Sequence, residues 1–108
     1  MANGILGKSV TTANQFIQLY QAPATVQYVT VHLSAVNTSD TEATVTFSVG
    51  LSATPAQADY IDYTIKIPAK GGTFERTCLL LSANERVMVQ ADNSSVVASV
   101  RGLEAFGV

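Results

Sequence analysis

Residues 25–36 read TVQYVTVHLSAV, and this stretch decides the fold. Apolar and polar side chains alternate along it, which is the period of two that places successive side chains on opposite faces of a β-strand. The stretch therefore predicts a long strand with one face in the core and the other face outside it. The inner face would carry Val29, Val31, Leu33 and Ala35, and the outer face Tyr28, Thr30, His32 and Ser34.

The same alternation returns in two later stretches. ATVTFSVGL (43–51) predicts that Val45, Phe47, Val49 and Leu51 point inward, with Thr44, Thr46 and Ser48 outward. YIDYTIKIP (60–68) predicts that Ile61, Tyr63, Ile65 and Ile67 point inward, with Asp62, Thr64 and Lys66 outward. Turn-forming residues separate the other predicted strands, which are FIQLY (16–20), GTFERTCLLL (72–81), RVMVQAD (86–92) and VVASVRGLEAF (96–106).

Seven to eight strands with one apolar face each can bury a common core by stacking as two sheets. The predicted fold is therefore all-β, a single antiparallel β-sandwich that is either jelly-roll or immunoglobulin-like. The Cys and Trp markers of an antibody-type domain are absent. One short helical turn is expected in TPAQADY (54–60), where Thr54 could cap a turn that has Pro55 at its first position.

The domain organisation follows from where the strand signal begins. Residues 1–14 mix Gly, Ser and Thr with a few apolar side chains and are predicted to form an N-terminal arm, and residues 15–108 form the β-sandwich domain. We expect the arm to add an edge strand to a neighbouring subunit or to lie over it. The alternatives are a flexible terminus and the first strand of the same sandwich.

Composition excludes several classes of function. The chain has 108 residues with a net charge of −2, and only 13% of its residues are charged while 47% are hydrophobic. The few basic residues are scattered, which argues against nucleic-acid binding. No run approaches the ~18 apolar residues of a membrane span, and no secretory signal is visible. The predicted place of synthesis is a cytoplasm, with no membrane and no nucleic acid as partners.

Chemistry-bearing residues are too few to predict an active site. His32 is the only histidine and Cys78 the only cysteine, so neither a catalytic triad nor a closed zinc site can be assembled. The acidic pairs Asp40 with Glu42 and Asp59 with Asp62 are too sparse for a calcium loop. We therefore predict no enzyme activity, no catalytic or metal-binding residues and no cofactor.

With the strands placed, the order of features resembles a group of small β-sandwich virion proteins of tailed bacteriophages, described as decoration (cement), tail or fibre-associated components. The resemblance lies in LGK (6–8), FIQLYQAPA (16–24), VNTS (36–39), YIDYTIKIPAKGGTFERT (60–77), LSANERVMVQADNSSV (81–96) and FGV (106–108). It implies a virion component present in many copies and often trimeric, with the major capsid protein or other virion proteins as partners.

The leading hypothesis is a capsid decoration protein that stabilises the head shell as a homo-oligomer, with a trimer expected. Tyr28, His32 and Tyr60 are predicted to form the trimer contacts, and the arm around Ile5, Leu6 and Val10 to grip the shell. One alternative is a tail, baseplate or fibre-attachment subunit. Another is a carbohydrate-binding adhesion module that uses exposed tyrosines as a platform.

Overall fold

The computed structural model describes residues 3–52 and 54–106, without the side chains of Asn3 and Cys78. One 3₁₀ turn, Gln57–Asp59, precedes the fifth strand. Eight strands cross this part of the chain: β1 (Asn3–Val10), β2 (Ile17–Gln21), β3 (Val26–Asn37), β4 (Ala43–Gly50), β5 (Tyr60–Ile67), β6 (Thr73–Leu81), β7 (Arg86–Ala91) and β8 (Val96–Phe106).

The strands form two antiparallel sheets of four strands each. Sheet A has the order β1-β8-β3-β6, and sheet B has the order β2-β7-β4-β5. The chain therefore pairs its first strand with its last, its second with its seventh, its third with its sixth and its fourth with its fifth. This is one long hairpin rolled into a sandwich, which is the jelly-roll arrangement. The predicted antiparallel β-sandwich is confirmed, and the strand order excludes the immunoglobulin-like alternative.

The core lies between the two sheets and contains the inner face of β3 as predicted. Val29, Val31, Leu33 and Ala35 are all buried. From sheet B they meet Val45, Phe47, Val87 and Val89, each of which has no exposed surface. Burying a Val, Leu or Phe side chain stabilises a fold by roughly 1.5–3 kcal/mol, so this layer accounts for the pairing of the two sheets.

The predicted faces of Asp62 and Tyr63 in β5 are wrong because the strand contains a bulge, whereas Ile61 packs against the core as predicted. Thr64 has a φ of 49°, and the register against β4 shifts so that Asp62 pairs with Phe47. Asp62 consequently points inward, and Tyr63 is 65% exposed instead of buried. The extra residue of a bulge reverses the alternation on one side of it. Beyond the bulge the prediction holds, since Ile67 is fully buried.

One prediction for β4 is also wrong, since Leu51 lies outside the strand and is 69% exposed. Thr46 and Ser48 lie on the outer side of β4 as predicted, yet both are buried. The β5 bulge explains part of this burial, because it brings the Thr64 N–H to 3.1 Å from the Thr46 Oγ1 atom, which accepts its hydrogen bond.

The N-terminal segment is part of the sandwich. Residues 3–10 form β1, which pairs with β8 in a register that runs from Asn3 opposite Leu103 to Val10 opposite Val97. Thr11 continues this contact by donating its N–H to the Val96 carbonyl at 2.9 Å. Of the predicted arm (residues 1–14), the structure describes residues 3–14, and it gives them the alternative placement as the first strand of the same sandwich, because β8 of the same chain supplies the hydrogen-bond partners of β1. Residues 1 and 2 lie outside the described part of the chain.

The predicted helical turn in residues 54–60 is present in a shorter form. The 3₁₀ turn covers only Gln57–Asp59, and Ala56, not Thr54, precedes it. The Asp59 carboxylate accepts the Ala56 N–H at 3.0 Å, so the capping side chain lies at the end of the turn and reaches back to its start.

Candidate functional site

The outer face of sheet A carries most of the exposed large apolar side chains in the described part of the chain. Among nine such residues, six project from this face and the other three, Leu51, Tyr63 and Phe106, lie elsewhere. We call the outward side chains of β1, β8, β3 and β6 the contact face. Its six apolar members are Ile5, Val10, Tyr28, Leu80, Val97 and Leu103.

The strand register orders the contact face into rows, because residues paired across neighbouring strands share one side of a sheet. The first two rows cross all four strands in the order β1, β8, β3, β6: Val10, Val97, Val36 and Thr73, and then Lys8, Ser99, Ser34 and Glu75. The third row crosses β1, β8 and β3 with Ile5, Arg101 and His32, and the fourth crosses β8, β3 and β6 with Leu103, Thr30 and Leu80. The two middle rows, which carry Lys8, Glu75, Arg101 and His32, therefore separate the mainly apolar first and last rows.

Charge on the contact face is sparse and divided between its two halves. Lys8 and Arg101 are exposed on β1 and β8, and Glu75 is exposed on β6. The His32 Nε2 atom lies 3.2 Å from a Glu75 carboxylate oxygen, and the Ser34 and Ser99 hydroxyl oxygens are 2.6 Å apart. The β1–β8 half therefore carries two cationic side chains, whereas the single carboxylate lies on the opposite half.

A shallow depression of about 440 Å³ lies on the contact face, centred on β3. Side chains and backbone from three strands line it: Thr30, Val31 and His32 of β3, Thr77 of β6, and Arg101, Gly102 and Leu103 of β8. Most of this lining is apolar, and the depression opens widely to solvent.

The structure brings together four of the six residues predicted to form interfaces. Ile5, Val10, Tyr28 and His32 all lie on the contact face. Leu6 instead packs against the core. Tyr60 belongs to sheet B, so it forms no common patch with Tyr28 and His32. Sequence reasoning missed Leu80, Val97 and Leu103, although the alternation of residues 96–106 could have identified the last two.

A second exposed surface is a ridge of stacked aromatic rings beside β5, which we call the aromatic ridge. The rings of Phe16 and Tyr60 have centroids 6.1 Å apart, and those of Tyr60 and Tyr63 are 5.1 Å apart with only 10° between their planes. Tyr60 and Tyr63 also line a depression of about 460 Å³ together with Gln57. The β5 bulge creates this ridge by turning Tyr63 outward.

Two polar contacts join the two sheets. The Tyr20 hydroxyl of β2 donates a hydrogen bond to the Glu104 carboxylate of β8. Burial, together with this hydrogen bond and the charge of Glu104, raises the pKa of Tyr20 well above its ordinary value. On the other side of the sandwich, Arg76 of β6 makes two hydrogen bonds of 2.5 Å to the Asp62 carboxylate of β5.

The chemistry available to these surfaces is contact and hydrogen bonding. Within residues 3–52 and 54–106 no three His, Cys, Asp or Glu side chains come close enough together to hold a metal ion. His32 contacts Glu75, while the side chain of Cys78 in β6 lies outside what the structure describes. Over the same ranges, no helix has the length and hydropathy needed to cross a membrane.

Comparison with known protein families and with curated proteins found no match to this chain.

Proposed function

We propose that the protein is a non-enzymatic structural component of a tailed-bacteriophage virion, a decoration (cement) protein that covers and stabilises the head shell. The observation that carries this proposal is the contact face. It places six exposed large apolar side chains on one side of a single sheet. Single exposed apolar side chains are normal on a protein surface, whereas several that share one face mark an interaction site.

The rest of the contact face supports the same function. The face also carries hydroxyl side chains such as Ser34, Ser99 and Thr30, which are cheaper to dehydrate than charged groups. A face of this kind can be buried repeatedly by identical contacts at little electrostatic cost. The jelly roll is a common scaffold of viral capsid and lectin domains, although a fold by itself does not determine a function.

The resemblance to small virion proteins adds the setting. It implies a component that is made in the bacterial cytoplasm, joins the virion, and contacts the major capsid protein or other virion proteins as a homo-oligomer. Such a protein stabilises the shell because each contact that it adds must be broken before the shell can rupture.

The first experiment compares phage particles that carry and lack the protein. We expect particles without it to rupture at a lower temperature and after a milder osmotic shock. Particles that contain Leu80→Lys should rupture like those lacking the protein, because the substitution places a charge within the contact face. Leu51→Lys, at an equally apolar and exposed site outside the face, should behave like wild type. If particles without the protein rupture at the same threshold as complete particles, the cement role is contradicted.

Copy number separates the head from the tail. Quantitative staining of purified particles should give hundreds of copies for a shell lattice, whereas a tail, baseplate or fibre-attachment subunit would give tens or fewer.

The aromatic ridge supports a second candidate function, a carbohydrate-binding adhesion module. Tyr63 presents an exposed ring face next to the amide of Gln57, and an aromatic face with nearby polar groups is suited to a sugar ring. On a glycan array we expect binding that Tyr63→Ala abolishes and Tyr28→Ala leaves intact, because Tyr28 lies on the opposite sheet. Absence of binding to any glycan contradicts this candidate.

A further inference from the structure

We propose that a second copy of this chain covers the contact face, through a twofold axis that runs along the strands between β8 and β3. The inference rests on the proposed function, since it names the first neighbour that the protein contacts in its assembly. Three properties of the face support a self-complementary contact, namely its charge, its shape and its area.

The charges on the face complement one another under this symmetry. A twofold axis parallel to the strands places β1 of one copy over β6 of the other and keeps each row in line with itself. Lys8 and Glu75 occupy the two ends of the same row. Each Lys8 would therefore lie over the Glu75 of the second copy, and the contact would occur twice. In the adjacent row, Arg101 of β8 would lie over His32 of the second copy, which itself contacts Glu75.

A different axis does not give this match. A twofold axis perpendicular to the strands would place β1 over β1 and β6 over β6. Lys8 would then face the strand that carries Lys8 in the other copy, and the two Glu75 side chains would share one side of the interface. Like charges brought together cost free energy and discriminate against an arrangement, so charge selects the axis along the strands.

The shape of the face agrees with the same axis. The depression is centred on β3, and the axis places β8 of the second copy opposite it. Leu103 of β8, which is 44% exposed, shares a row with Thr30 in the lining of the depression. Leu103 of each copy would therefore enter the depression of the other. A reciprocal contact of this kind is what an isologous interface requires.

The area is sufficient for a stable dimer. Four strands about 4.8 Å apart, with β3 of 12 residues rising ~3.3 Å each, give a face of about 20 Å by 35–40 Å. This corresponds to roughly 700 Å² on each copy, close to the ~800 Å² per partner of a standard protein interface.

The test is self-association of the purified full chain by sedimentation velocity at low salt. We expect wild type to form a dimer. Lys8→Glu should raise its dissociation constant about tenfold or more, because both symmetric contacts become repulsive. Glu75→Lys should weaken the dimer similarly. The combined variant Lys8→Glu/Glu75→Lys should recover it, since each swapped charge again meets its opposite.

Matched controls keep the result interpretable. Lys66→Glu makes the same charge change on β5 of sheet B and should leave the dimer intact. Leu103→Glu should give a monomer whose circular dichroism spectrum and cooperative melting show that it is folded. A wild-type chain that remains monomeric at about 0.1 mM, or one that sediments as a trimer, overturns the proposal. So does a combined charge swap that fails to restore association.

The proposed dimer and the proposed decoration function can be contradicted independently of each other. A monomeric wild type that still raises the rupture threshold of particles contradicts the twofold contact alone. A dimer whose removal leaves that threshold unchanged contradicts the decoration function alone.

Discussion

Asn37, at the end of β3, uses its whole side chain to hold two loops together. Its Nδ2 atom donates to the carbonyl oxygens of Thr41 at 2.8 Å and Ile67 at 3.1 Å. Its Oδ1 atom accepts from the N–H of Ser39 at 3.0 Å and from the Ser39 hydroxyl at 2.7 Å. The residue is fully buried, so these four hydrogen bonds replace all the water that the amide loses on folding.

We expect Asn37→Asp to lower the free energy of unfolding by about 2–4 kcal/mol, measured by urea denaturation. The carboxylate can still accept from Ser39, but it cannot donate to Thr41 and Ile67 and would face their carbonyl oxygens with a buried negative charge. Gln27→Glu makes the same amide-to-carboxylate change at an exposed position of the same strand. Its cost should stay within about 0.5 kcal/mol, and an equal loss in both variants would contradict the assigned role of Asn37.

Removing either of two buried hydroxyl groups of β4 should change the stability of the protein, but in opposite directions. The Ser48 Oγ atom has no hydrogen-bond partner among the described residues, while Thr46 Oγ1 accepts from the Thr64 N–H. Ser48→Ala should therefore stabilise the protein by up to about 1 kcal/mol, and Thr46→Val should destabilise it by about 1–2 kcal/mol, because it leaves a donor unpaired. Thermal melting of both variants checks the signs. Equal signs would contradict this account.

The sequence predicts the turn at Asn37 but not the burial of its side chain. The tripeptide Asn37-Thr38-Ser39 correctly indicates a turn after β3. It does not indicate that Asn37 is buried, because the carbonyl groups it satisfies come from Thr41 and from Ile67 in another strand. Burial of a polar side chain depends on partners that the local pattern does not contain.

At the scale of the elements, regular central strands were predictable and the bulged edge strand was not. β3 has neighbours on both sides, and its alternation correctly placed Val29, Val31, Leu33 and Ala35 on the inner face. β5 lies at the edge of sheet B, and the bulge at Thr64 reverses the direction of Tyr63 and Asp62. An alternating pattern cannot reveal an inserted residue, so the aromatic ridge could not be predicted from the sequence.

The reversal of Asp62 creates the ion pair that ties the edge of sheet B to the edge of sheet A. The Asp62 side chain is only 9% exposed, and the hydrogen bonds and charge of Asp62 raise the pKa of Arg76. We expect Arg76→Gln and Asp62→Asn each to cost about 1–3 kcal/mol in chemical denaturation, and the double variant to cost less than their sum, by about 1 kcal/mol or more.

The exposed pair of His32 and Glu75 serves as the reference for this double-mutant cycle. Its coupling should stay below about 1 kcal/mol, since solvent screens exposed ion pairs. A coupling at Asp62 and Arg76 no larger than this reference would show that the pair does not hold the edges together.

At the scale of the whole molecule, the contact between Tyr20 and Glu104 links stability to alkaline pH. The raised pKa means that folded Tyr20 keeps its proton above pH 10, where an unfolded tyrosine loses it. The contribution of protonated Tyr20 to the free energy of unfolding is therefore complete below about pH 10, and it declines as the pH rises from there toward the pKa of Tyr20 in the folded protein. We expect the free energy of unfolding to fall more steeply between pH 9.5 and 11.5 in wild type than in Tyr20→Phe.

Urea denaturation monitored by circular dichroism across that pH range measures the difference in unfolding free energy between wild type and Tyr20→Phe. Tyr20→Phe should cost about 1–2 kcal/mol at pH 8, and the gap between the two proteins should narrow at high pH. Tyr28→Phe, at an exposed position, should follow the wild-type curve. Parallel curves for wild type and Tyr20→Phe would contradict the role of this proton.

The architecture of the whole molecule shows where sequence reasoning stops. Alternation predicts that two sheets stack, but the choice between the jelly roll and an immunoglobulin-like order depends on pairs such as Asn3 with Leu103, which lie at opposite ends of the chain. The contact face has the same limitation. His32 and Tyr28 were predicted to face outward, whereas their neighbours on β1, β6 and β8 follow from long-range register alone.

The pairing of β1 with β8 has a consequence for how the protein is made. On the ribosome, only the β4–β5 hairpin can close soon after its strands emerge, because β3, β2 and β1 must wait for β6, β7 and β8 in turn. β1 has no strand to pair with, and sheet A stays incomplete, until Val96–Phe106 has been synthesised. A messenger truncated before this strand would yield a chain whose sheet A lacks the strand between β1 and β3. We expect chaperones and proteases to bind such a chain because it exposes apolar surface and unpaired strand edges.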